Sequence, residues 1–216
     1  MSQAYTFAFV DLAGFTALTD AHGDQAAAEQ VALFCSLAQQ SLTGTATVVK
    51  SIGDAVMLAA DSADDAVRSC LALVQACIAE PHFPLARAGI HSGTAVASGG
   101  DFFGAGVNVA ARITGRAAGG QLVLTAEPAS SARSFGLRVH ELGVVDLRNV
   151  TDPVELFGVD VELGPHAVDP VCRMTVDRQA AAGTLTHAGH DFWFCSLGCA
   201  GAFASNPDRH LAQGRA

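Results

Sequence analysis

The sequence has few basic residues and no cluster of them. Its 216 residues include 12 Lys and Arg against 21 Asp and Glu, a formal charge of −9 at pH 7. A surface that neutralises the phosphates of nucleic acid or lipid needs clustered basic side chains. We therefore expect no nucleic acid and no membrane as a partner, and a phosphate-bearing ligand must be small and bound locally.

Long apolar runs are missing as well. No run of apolar residues reaches the roughly 18 that a membrane-spanning helix requires. The first residues, MSQAYTFAFVDLAGF, lack the basic segment that begins a secretory signal. The sequence thus predicts a cytoplasmic protein.

The six cysteines fall into two groups. Because a reducing compartment keeps thiols free, we expect no disulfide framework. Three of them lie at apolar positions of helical stretches, where cysteine acts as a small core hydrophobe: Cys35, Cys70 and Cys77. The other three lie in a C-terminal stretch whose composition changes at Asp169.

The order of apolar patterns predicts an α+β fold. Strand-like runs cover residues 5–10, 45–52, 55–60 and 85–91, and helical periodicity covers 25–42 and 64–78. This βαββαβ order is typical of ferredoxin-like folds. Further elements are predicted near 106–116, 121–125, 139–147 and 154–161. We assign residues 1–163 to this domain, 164–168 to a linker and 169–216 to a small second domain.

Two aspartates stand where predicted strands end. Asp11 follows the first strand, and Asp54 lies in the Gly53-Asp54 turn of the predicted hairpin. In this topology both carboxylates can converge at one sheet edge, where hard oxygen ligands suit a pair of Mg²⁺ or Mn²⁺ ions on a nucleoside triphosphate. Taken singly, either aspartate is better explained as a helix cap or an ordinary turn residue.

Three more features accompany the aspartates. Gly14 and Phe15 lie at a helix start, whose backbone N–H groups can bind phosphate. Lys50 is the single lysine of the chain, either by chance on a solvated strand or because a flexible donor is needed that arginine does not replace. Asn108 and Arg112 share one helix face and can contact one ligand together, although an amphipathic surface helix has the same spacing.

Four sequence blocks resemble the class III adenylate and guanylate cyclase catalytic domain. They are FVDLAGFT at 9–16, KSIGD at 50–54, RAGIHSG at 87–93 and GDFFGAGVNVAAR at 100–112. The resemblance covers about residues 4–161, and four ordered blocks are far more specific than a lone glycine-rich loop. It implies a ferredoxin-like cyclase fold and a homodimer, with active sites across the interface and two Mg²⁺ or Mn²⁺ ions per site. The implied reaction converts ATP into 3′,5′-cyclic AMP and pyrophosphate.

The resemblance also assigns roles to residues. It implies metal binding by Asp11 and Asp54, purine binding by Lys50 and Asp101, ribose orientation by Asn108, transition-state stabilisation by Arg112 and phosphate contact by Arg148. Guanylate cyclases usually carry Glu and Cys or Ser at the two purine positions, so ATP is favoured over GTP. The alternative is a catalytically silent nucleotide-binding or metal-sensing adaptor, although an adaptor would not need Arg112.

The C-terminal stretch resembles the YHS domain and the related TRASH-type metal modules. The segments DPVCRMTVD and HDFWFCSLGCAGAF carry this resemblance, which covers about residues 169–211. It implies a small β-hairpin and helix module that binds a metal. A small packed module with buried cysteines is the alternative.

The cysteines of this stretch can form a soft-metal site. Cys195 and Cys199 are one helical turn apart, and a β-hairpin brings Cys172 back to them. Three thiolates suit Zn²⁺ or Cu⁺, and a closed tetrahedral zinc site needs a fourth ligand. The candidates for that ligand are His187, His190 and Asp169. Metal binding would order the module, which would then regulate the cyclase domain.

Overall fold

The chain forms one large sheet with helices and a small C-terminal module. The computed structural model describes residues 3–212, so the outermost residues of the two assigned domains lie outside it. The helices are α1 (Phe15–Gln40), α2 (Ala63–Ala79), α3 (Ala105–Thr114), α4 (Ala126–Ser134), α5 (Leu197–Ser205) and α6 (Pro207–Ala212). The strands of the large sheet are β1 (Gln3–Leu12), β2 (Thr47–Ile52), β3 (Ala55–Ala60), β4 (Ala86–Ser98), β5 (Asp101–Phe103), β6 (Gln121–Leu124), β7 (His140–Val145) and β8 (Val154–Asp160). The remaining strands are β9 (His166–Val168), β10 (Thr175–Asp177), β11 (Gly183–His187) and β12 (His190–Phe194).

The strand order confirms the α+β prediction. The sheet runs β2-β3-β1-β4-β6-β8-β7, and β5 pairs with β4 outside this path. Its first four strands, with α1 after β1 and α2 after β3, form the ferredoxin-like βαββαβ unit. The pairs β1–β3, β1–β4 and β2–β3 are antiparallel, and β4–β6 is parallel.

Alternation along β1 separates the two faces of the sheet. Ala8 and Val10 point into the main core beneath α1 and α2. Phe7 points the other way and packs with Met57 and with Ala110 of α3. Asp11 has the parity of Phe7 on the pleated strand, so it belongs to the face that carries α3.

Helix α1 begins well before the predicted range 25–42. Gly23 has φ 83° and ψ 168°, a non-helical conformation that joins two helical segments at a kink. The first segment, residues 15–22, is therefore a separate two-turn unit at the start of the domain. No helix among the described residues is both long and apolar enough to cross a bilayer.

The C-terminal module is made of two hairpins and two short helices. Strands β9 and β10 pair antiparallel, as do β11 and β12, and α5 and α6 follow. Strand β9 occupies the last three residues of the segment 164–168 that the sequence assigned to a linker. That assignment extends too far, because Val168 pairs with Thr175 and so belongs to the module.

Candidate active site and candidate metal centre

The structure places Asp11 and Asp54 at one end of the sheet. Asp11 is paired in register with Ala55, the residue after Asp54. The backbone N–H of Leu12 donates to the Asp54 carbonyl oxygen at 3.2 Å. Burial raises the pKa of the Asp54 carboxyl, and the charge of Asp11 raises it further. A divalent cation between the two carboxylates would compensate this repulsion.

Arg87 on β4 also belongs to this site, although sequence analysis assigned it no role. Its Nε donates to Asp11 Oδ1 at 2.5 Å and its Nη2 to Asp11 Oδ2 at 3.3 Å. A third bond runs from Nη1 to the carbonyl oxygen of Ala117 at 3.3 Å. Arg87 and Asp11 are register partners on β1 and β4, so pairing the two predicted strands could have revealed the contact.

Lys50 and Asp101, the purine-binding candidates, form an ion pair. Lys50 Nζ donates to Asp101 Oδ2 at 2.5 Å, and Asp101 Oδ1 accepts the N–H of Phe102 at 2.8 Å. The Lys50 bond holds the pKa of the Asp101 carboxyl below its usual value, and the Phe102 N–H adds to this. Edge-to-face contacts of Phe102 with Tyr5 and Phe7 fix β5 over the sheet.

Asn108 and Arg112 project from the open face of α3. Both are exposed, whereas Val109, Ala110 and Ile113 of the same helix are buried. Within residues 3–212 neither side chain makes a hydrogen bond or ion pair, and no contact joins them to the aspartates of the same chain. Their polar groups are available to a ligand or a second chain.

Gly14 and Phe15 begin α1 in a conformation that leaves backbone donors free. Gly14 has φ 77° and provides no side-chain cap, so the first-turn N–H groups lack an intrahelical partner. The aliphatic part of Arg173 covers Gly14, where an added Cβ would lie 2.5 Å from Arg173 Cγ. The C-terminal module therefore touches the proposed phosphate-binding segment.

Arg148 stands apart from these residues. It lies in the loop between β7 and β8 with an exposed side chain. Among the residues that the structure describes, it forms no hydrogen bond or ion pair with another candidate. Its phosphate contact stays a prediction.

The three C-terminal cysteines meet at one point, and His22 of α1 joins them. Cys172 Sγ lies 3.5 Å from Cys195 Sγ, which lies 3.7 Å from Cys199 Sγ. His22 Nε2 lies 3.6 Å from Cys195 Sγ and 3.8 Å from Cys199 Sγ. All four ligand atoms are within 4.8 Å of one another. Sequence analysis did not identify His22, because it is distant in the chain from the three cysteines and shows no metal-ligand spacing with a neighbouring residue.

The fourth-ligand candidates from the sequence lie outside this cluster. Asp169 is fully buried, and its oxygens accept the N–H groups of Val171 at 2.8 Å and Cys195 at 2.9 Å. It therefore holds two cysteine-bearing segments in place rather than offering a ligand. His187 packs its ring against Phe203, and His190 is exposed.

The thiols interact strongly with one another. Hydrogen bonds from Cys172 and Cys195 lower the pKa of the Cys199 thiol. The backbone N–H of Cys199 donates to the Ser196 hydroxyl oxygen, which caps α5. A soft cation can displace the protons that these three thiols share, because thiolates are its preferred ligands.

An apolar cluster joins the module to α1. Leu18 and Ala27 of α1 are buried against Phe194 and Phe203 of the module. A second attachment lies at Thr175, whose N–H donates to the Phe83 carbonyl oxygen at 2.8 Å. The module is thus packed on the large domain at two places.

Two family profiles match the chain in succession. Residues 1–159 match the adenylate and guanylate cyclase catalytic domain. Residues 167–213 match the YHS domain. Both matches agree with the resemblances that the sequence motifs carry.

Curated relatives include adenylate cyclases of Mycobacterium tuberculosis and Streptomyces griseus. The chain is 35% identical over 163 residues to the pH-sensitive adenylate cyclase MT1302 of Mycobacterium tuberculosis, covering 73% of this chain and 41% of that protein. It is 39% identical over 107 residues to an adenylate cyclase of Streptomyces griseus, covering 49% and 27%. The chain spans less than half the length of these relatives.

Solved structures share the fold of the large domain. A crystal structure of an adenylate/guanylate cyclase/hydrolase from Silicibacter pomeroyi superposes with a TM-score of 0.65 at 23% identity. The match covers 75% of this chain and 99% of that one.

Proposed function

The chain belongs to the adenylate and guanylate cyclase catalytic domain family and carries a YHS domain, and from this we propose that it converts ATP into 3′,5′-cyclic AMP and pyrophosphate. The observation that carries the choice of ATP is the ion pair between Lys50 and Asp101. A lysine donor and a carboxylate acceptor side by side complement the acceptor and donor edge of adenine. The pair is part-exposed, so a base can reach it.

Asp11 and Asp54 fit a divalent metal pair. They provide hard oxygen ligands from two adjacent strand ends, and the repulsion that raises the Asp54 pKa favours a shared cation. Bound Mg²⁺ or Mn²⁺ would activate the ribose 3′-hydroxyl and stabilise the departing pyrophosphate. The free N–H groups at Gly14 and Phe15 would hold the phosphates, with Arg148 as a further candidate.

Asn108 and Arg112 complete the proposed site from a second copy of the chain. Asn108 would orient the ribose, and Arg112 would offset charge on the phosphoryl oxygens in the transition state. Their exposure and lack of partners in residues 3–212 support a homodimer with two sites across the interface. Exposed apolar side chains support it further, because Ile52 and Phe103 near Lys50 are 52% and 58% exposed.

The C-terminal module would bind a soft cation and regulate the cyclase. Its three cysteines lie close enough to share an ion, for which Zn²⁺ and Cu⁺ are the candidates. Its packing on α1 gives a metal-dependent change a short path to the phosphate-binding segment.

A product assay tests the proposed reaction. The purified full chain, incubated with Mn²⁺ and either ATP or GTP, should release cyclic AMP and pyrophosphate in equal amounts and should prefer ATP. Asp11→Ala should abolish the reaction, whereas Asp61→Ala, a change at an exposed aspartate outside the site, should leave it unchanged. Nucleotide binding without product would instead identify a catalytically silent adaptor.

A further inference from the structure

The metal-ligating atoms of two domains meet at one point. Cys172, Cys195 and Cys199 belong to the C-terminal module, whereas His22 ends the first helical segment of the cyclase domain. Cys172 and Cys199 are buried, and Cys195 and His22 are half-buried. A site of this composition is closed to substrates and has no open position for chemistry, which is typical of structural metal sites.

The spacing of these atoms matches tetrahedral zinc. Zinc–sulfur bonds of about 2.3 Å and zinc–nitrogen bonds of about 2.0 Å place tetrahedral ligand atoms roughly 3.5–3.8 Å apart. Four of the six separations between the ligand atoms are 3.5, 3.7, 3.6 and 3.8 Å, and the two from Cys172 Sγ to Cys199 Sγ and to the His22 ring nitrogen are within 4.8 Å. Three thiolates and one imidazole are a common ligand set for structural zinc, and the imidazole distinguishes this set from an all-thiolate copper site.

We propose that His22 closes a Cys₃His zinc site, so that one zinc ion joins the cyclase domain to the C-terminal module. The fourth ligand is then supplied by the enzyme domain and not by the module itself. Asp169 stabilises the site, since its buried carboxylate accepts hydrogen bonds from the backbone N–H groups of Val171 and Cys195. The zinc site itself stands independently of the proposed reaction, and only its effect on catalysis rests on that function.

Zinc bound at His22 would restrain the helical segment that begins at Gly14. His22 and Gly14 are the two ends of one two-turn helical segment, a span of about 12 Å at 1.5 Å per residue. Gly14 lies beneath Arg173 of the module, and Leu18 in the middle is buried against the module. The Gly23 kink separates this segment from the rest of α1. Zinc at His22 therefore restrains the phosphate-binding segment at the end that adjoins the Gly23 kink.

Apart from the proposed metal ligands, buried apolar side chains hold the module against α1. The bonds from Thr175 to the Phe83 carbonyl oxygen attach the module to the segment that follows α2. Without zinc, the contacts of Leu18 and Arg173 remain, and His22 Nε2 is joined to Cys195 Sγ and Cys199 Sγ by long contacts of 3.6 and 3.8 Å, which are weaker than metal–ligand bonds. Zinc therefore adds order locally and does not create the contact between the domains.

Metal binding to matched histidine variants tests the ligand set. His22→Gln removes the proposed ligand, and His190→Gln removes an exposed histidine of the module as a control. With reduced thiols, the wild type and His190→Gln should each bind one Zn²⁺ in competition with a chromophoric chelator. His22→Gln should bind at least about tenfold more weakly, since even the loss of a supporting partner costs about 10–100-fold. Equal zinc affinity in His22→Gln would overturn the proposal.

Cobalt provides a direct view of the coordination shell. Co²⁺ in the wild-type site should give intense tetrahedral d–d bands with thiolate charge-transfer bands, and His190→Gln should give the same spectrum. In His22→Gln the d–d bands should shift, because water or glutamine oxygen replaces nitrogen. An unchanged spectrum would place the fourth ligand elsewhere.

Hydrogen exchange tests the restraint on the phosphate-binding segment. One equivalent of Zn²⁺ should slow amide exchange at least about threefold in peptides covering residues 14–23 of the wild type, because local opening becomes less populated. The slowing should disappear in His22→Gln and persist in His190→Gln. Slowing confined to residues 169–212 would show that zinc orders the module alone.

Steady-state kinetics test whether zinc at this site affects catalysis. One equivalent of Zn²⁺ should change the KM for Mn²⁺-ATP in the wild type and His190→Gln but not in His22→Gln. If no variant makes cyclic AMP, the proposed reaction fails, while zinc affinity, the cobalt spectrum and hydrogen exchange still decide the site. If cyclic AMP forms and zinc alters KM equally in His22→Gln, the zinc acts elsewhere and the coupling is wrong.

Discussion

The Arg87 guanidinium binds the Asp11 carboxylate through two nitrogens, at 2.5 and 3.3 Å. A cation thus lies on one of the two carboxylates proposed to hold the divalent ions. The ion pair lowers the negative charge that attracts a metal, and it competes for the same oxygens.

Removing the Arg87 guanidinium should strengthen the binding of the divalent metal. We expect Arg87→Gln to lower the half-saturating Mn²⁺ concentration by on the order of tenfold, because one nearby opposite charge typically shifts such an equilibrium by about this factor. Arg116→Gln, which removes an exposed arginine that forms no ion pair within residues 3–212, should have no effect. Titration of activity with Mn²⁺ measures both, and weaker metal binding in Arg87→Gln would mean that Arg87 orients Asp11 for the metal.

Purine choice should follow the Lys50–Asp101 pair. Lys50→Glu combined with Asp101→Cys reverses the donor and acceptor pattern, which leaves adenine with unpaired polar groups and penalises it. The ratio of kcat/KM for ATP to that for GTP should fall at least about tenfold. Lys50→Ala with Asp101→Ala should weaken ATP use without a gain for GTP. An unchanged ratio in the reversed variant would mean that the pair does not face the base.

Complementation should reveal two chains in one site. Asp11→Ala and Asn108→Ala should each be inactive, whereas a mixture of exchanging subunits should recover about one quarter of wild-type activity. Half of the dimers are then mixed, and each has one intact site of two. A mixture of Asp11→Ala with Asp54→Ala should stay inactive, because both changes affect the same half-site. Recovery of activity in neither mixture would locate the complete site within one chain.

Lowering the pH should reduce the free energy of unfolding, because His91 becomes protonated in the unfolded chain. Its imidazole is half-buried and contacts the Thr125 hydroxyl at 3.0 Å, and burial lowers its pKa below the ordinary value of 6.5. The unfolded chain then binds a proton first, so stability is fully present above about pH 6.5 and is lost as pH falls toward the lowered pKa. The free energy of unfolding should therefore drop between about pH 7.5 and pH 5.5.

A comparison of histidine variants isolates this contribution. His91→Gln should lose less stability over that pH range than the wild type, since it has no buried imidazole to protonate. His190→Gln, at an exposed histidine, should follow the wild type. Urea unfolding followed by circular dichroism at the two pH values measures the difference. Identical pH dependence in all three proteins would contradict the assignment.

Gly14 should be intolerant of a side chain because of Arg173. Gly14 and Gly136 both have φ 77°, but an added Cβ at Gly136 meets nothing within 4 Å. Gly136→Ala should therefore cost only the left-handed strain, about 1–2 kcal/mol. Gly14→Ala should cost about 1–3 kcal/mol more, because Arg173 must move. In Gly14→Ala/Arg173→Gly this excess should vanish in a double-mutant cycle, because the Cγ and Cβ of Arg173, which would lie 2.5 and 2.7 Å from the added methyl group, are then both absent. An additive result would remove Arg173 from the contact.

Much of the fold follows from local patterns. The Gly53-Asp54 turn and the helical periodicity of 64–78 predicted the hairpin and α2 correctly. Helix α4 escaped prediction because its sequence, AEPASSARS, has little apolar periodicity. Pro128 nevertheless fits its first turn, where no intrahelical N–H bond is lost. In α1, Gly23 interrupts the apolar pattern, so the periodicity predicted a helix only over residues 25–42.

The site depended on contacts that no local spacing encodes. The motif blocks identified Lys50 and Asp101, but their ion pair follows from β5 folding over Tyr5 and Phe7. His22 and Cys172 meet only because the C-terminal module packs on α1. A single sequence predicts which residue types are available, and tertiary packing decides which of them share a ligand.

The burial of Leu18 and Ala27 under Phe194 and Phe203 also bears on how the chain is made. The ribosome releases Leu18 long before Phe203, about ten to forty seconds earlier at about 5–20 residues per second. During that interval Leu18 and Ala27 lack the side chains of the module that cover them, whereas Phe34 and Ala38 of the same helix can pack in the core of the large domain. Nascent chains of this protein should therefore be most prone to aggregation and most dependent on chaperones just before the last hairpin and α5 emerge.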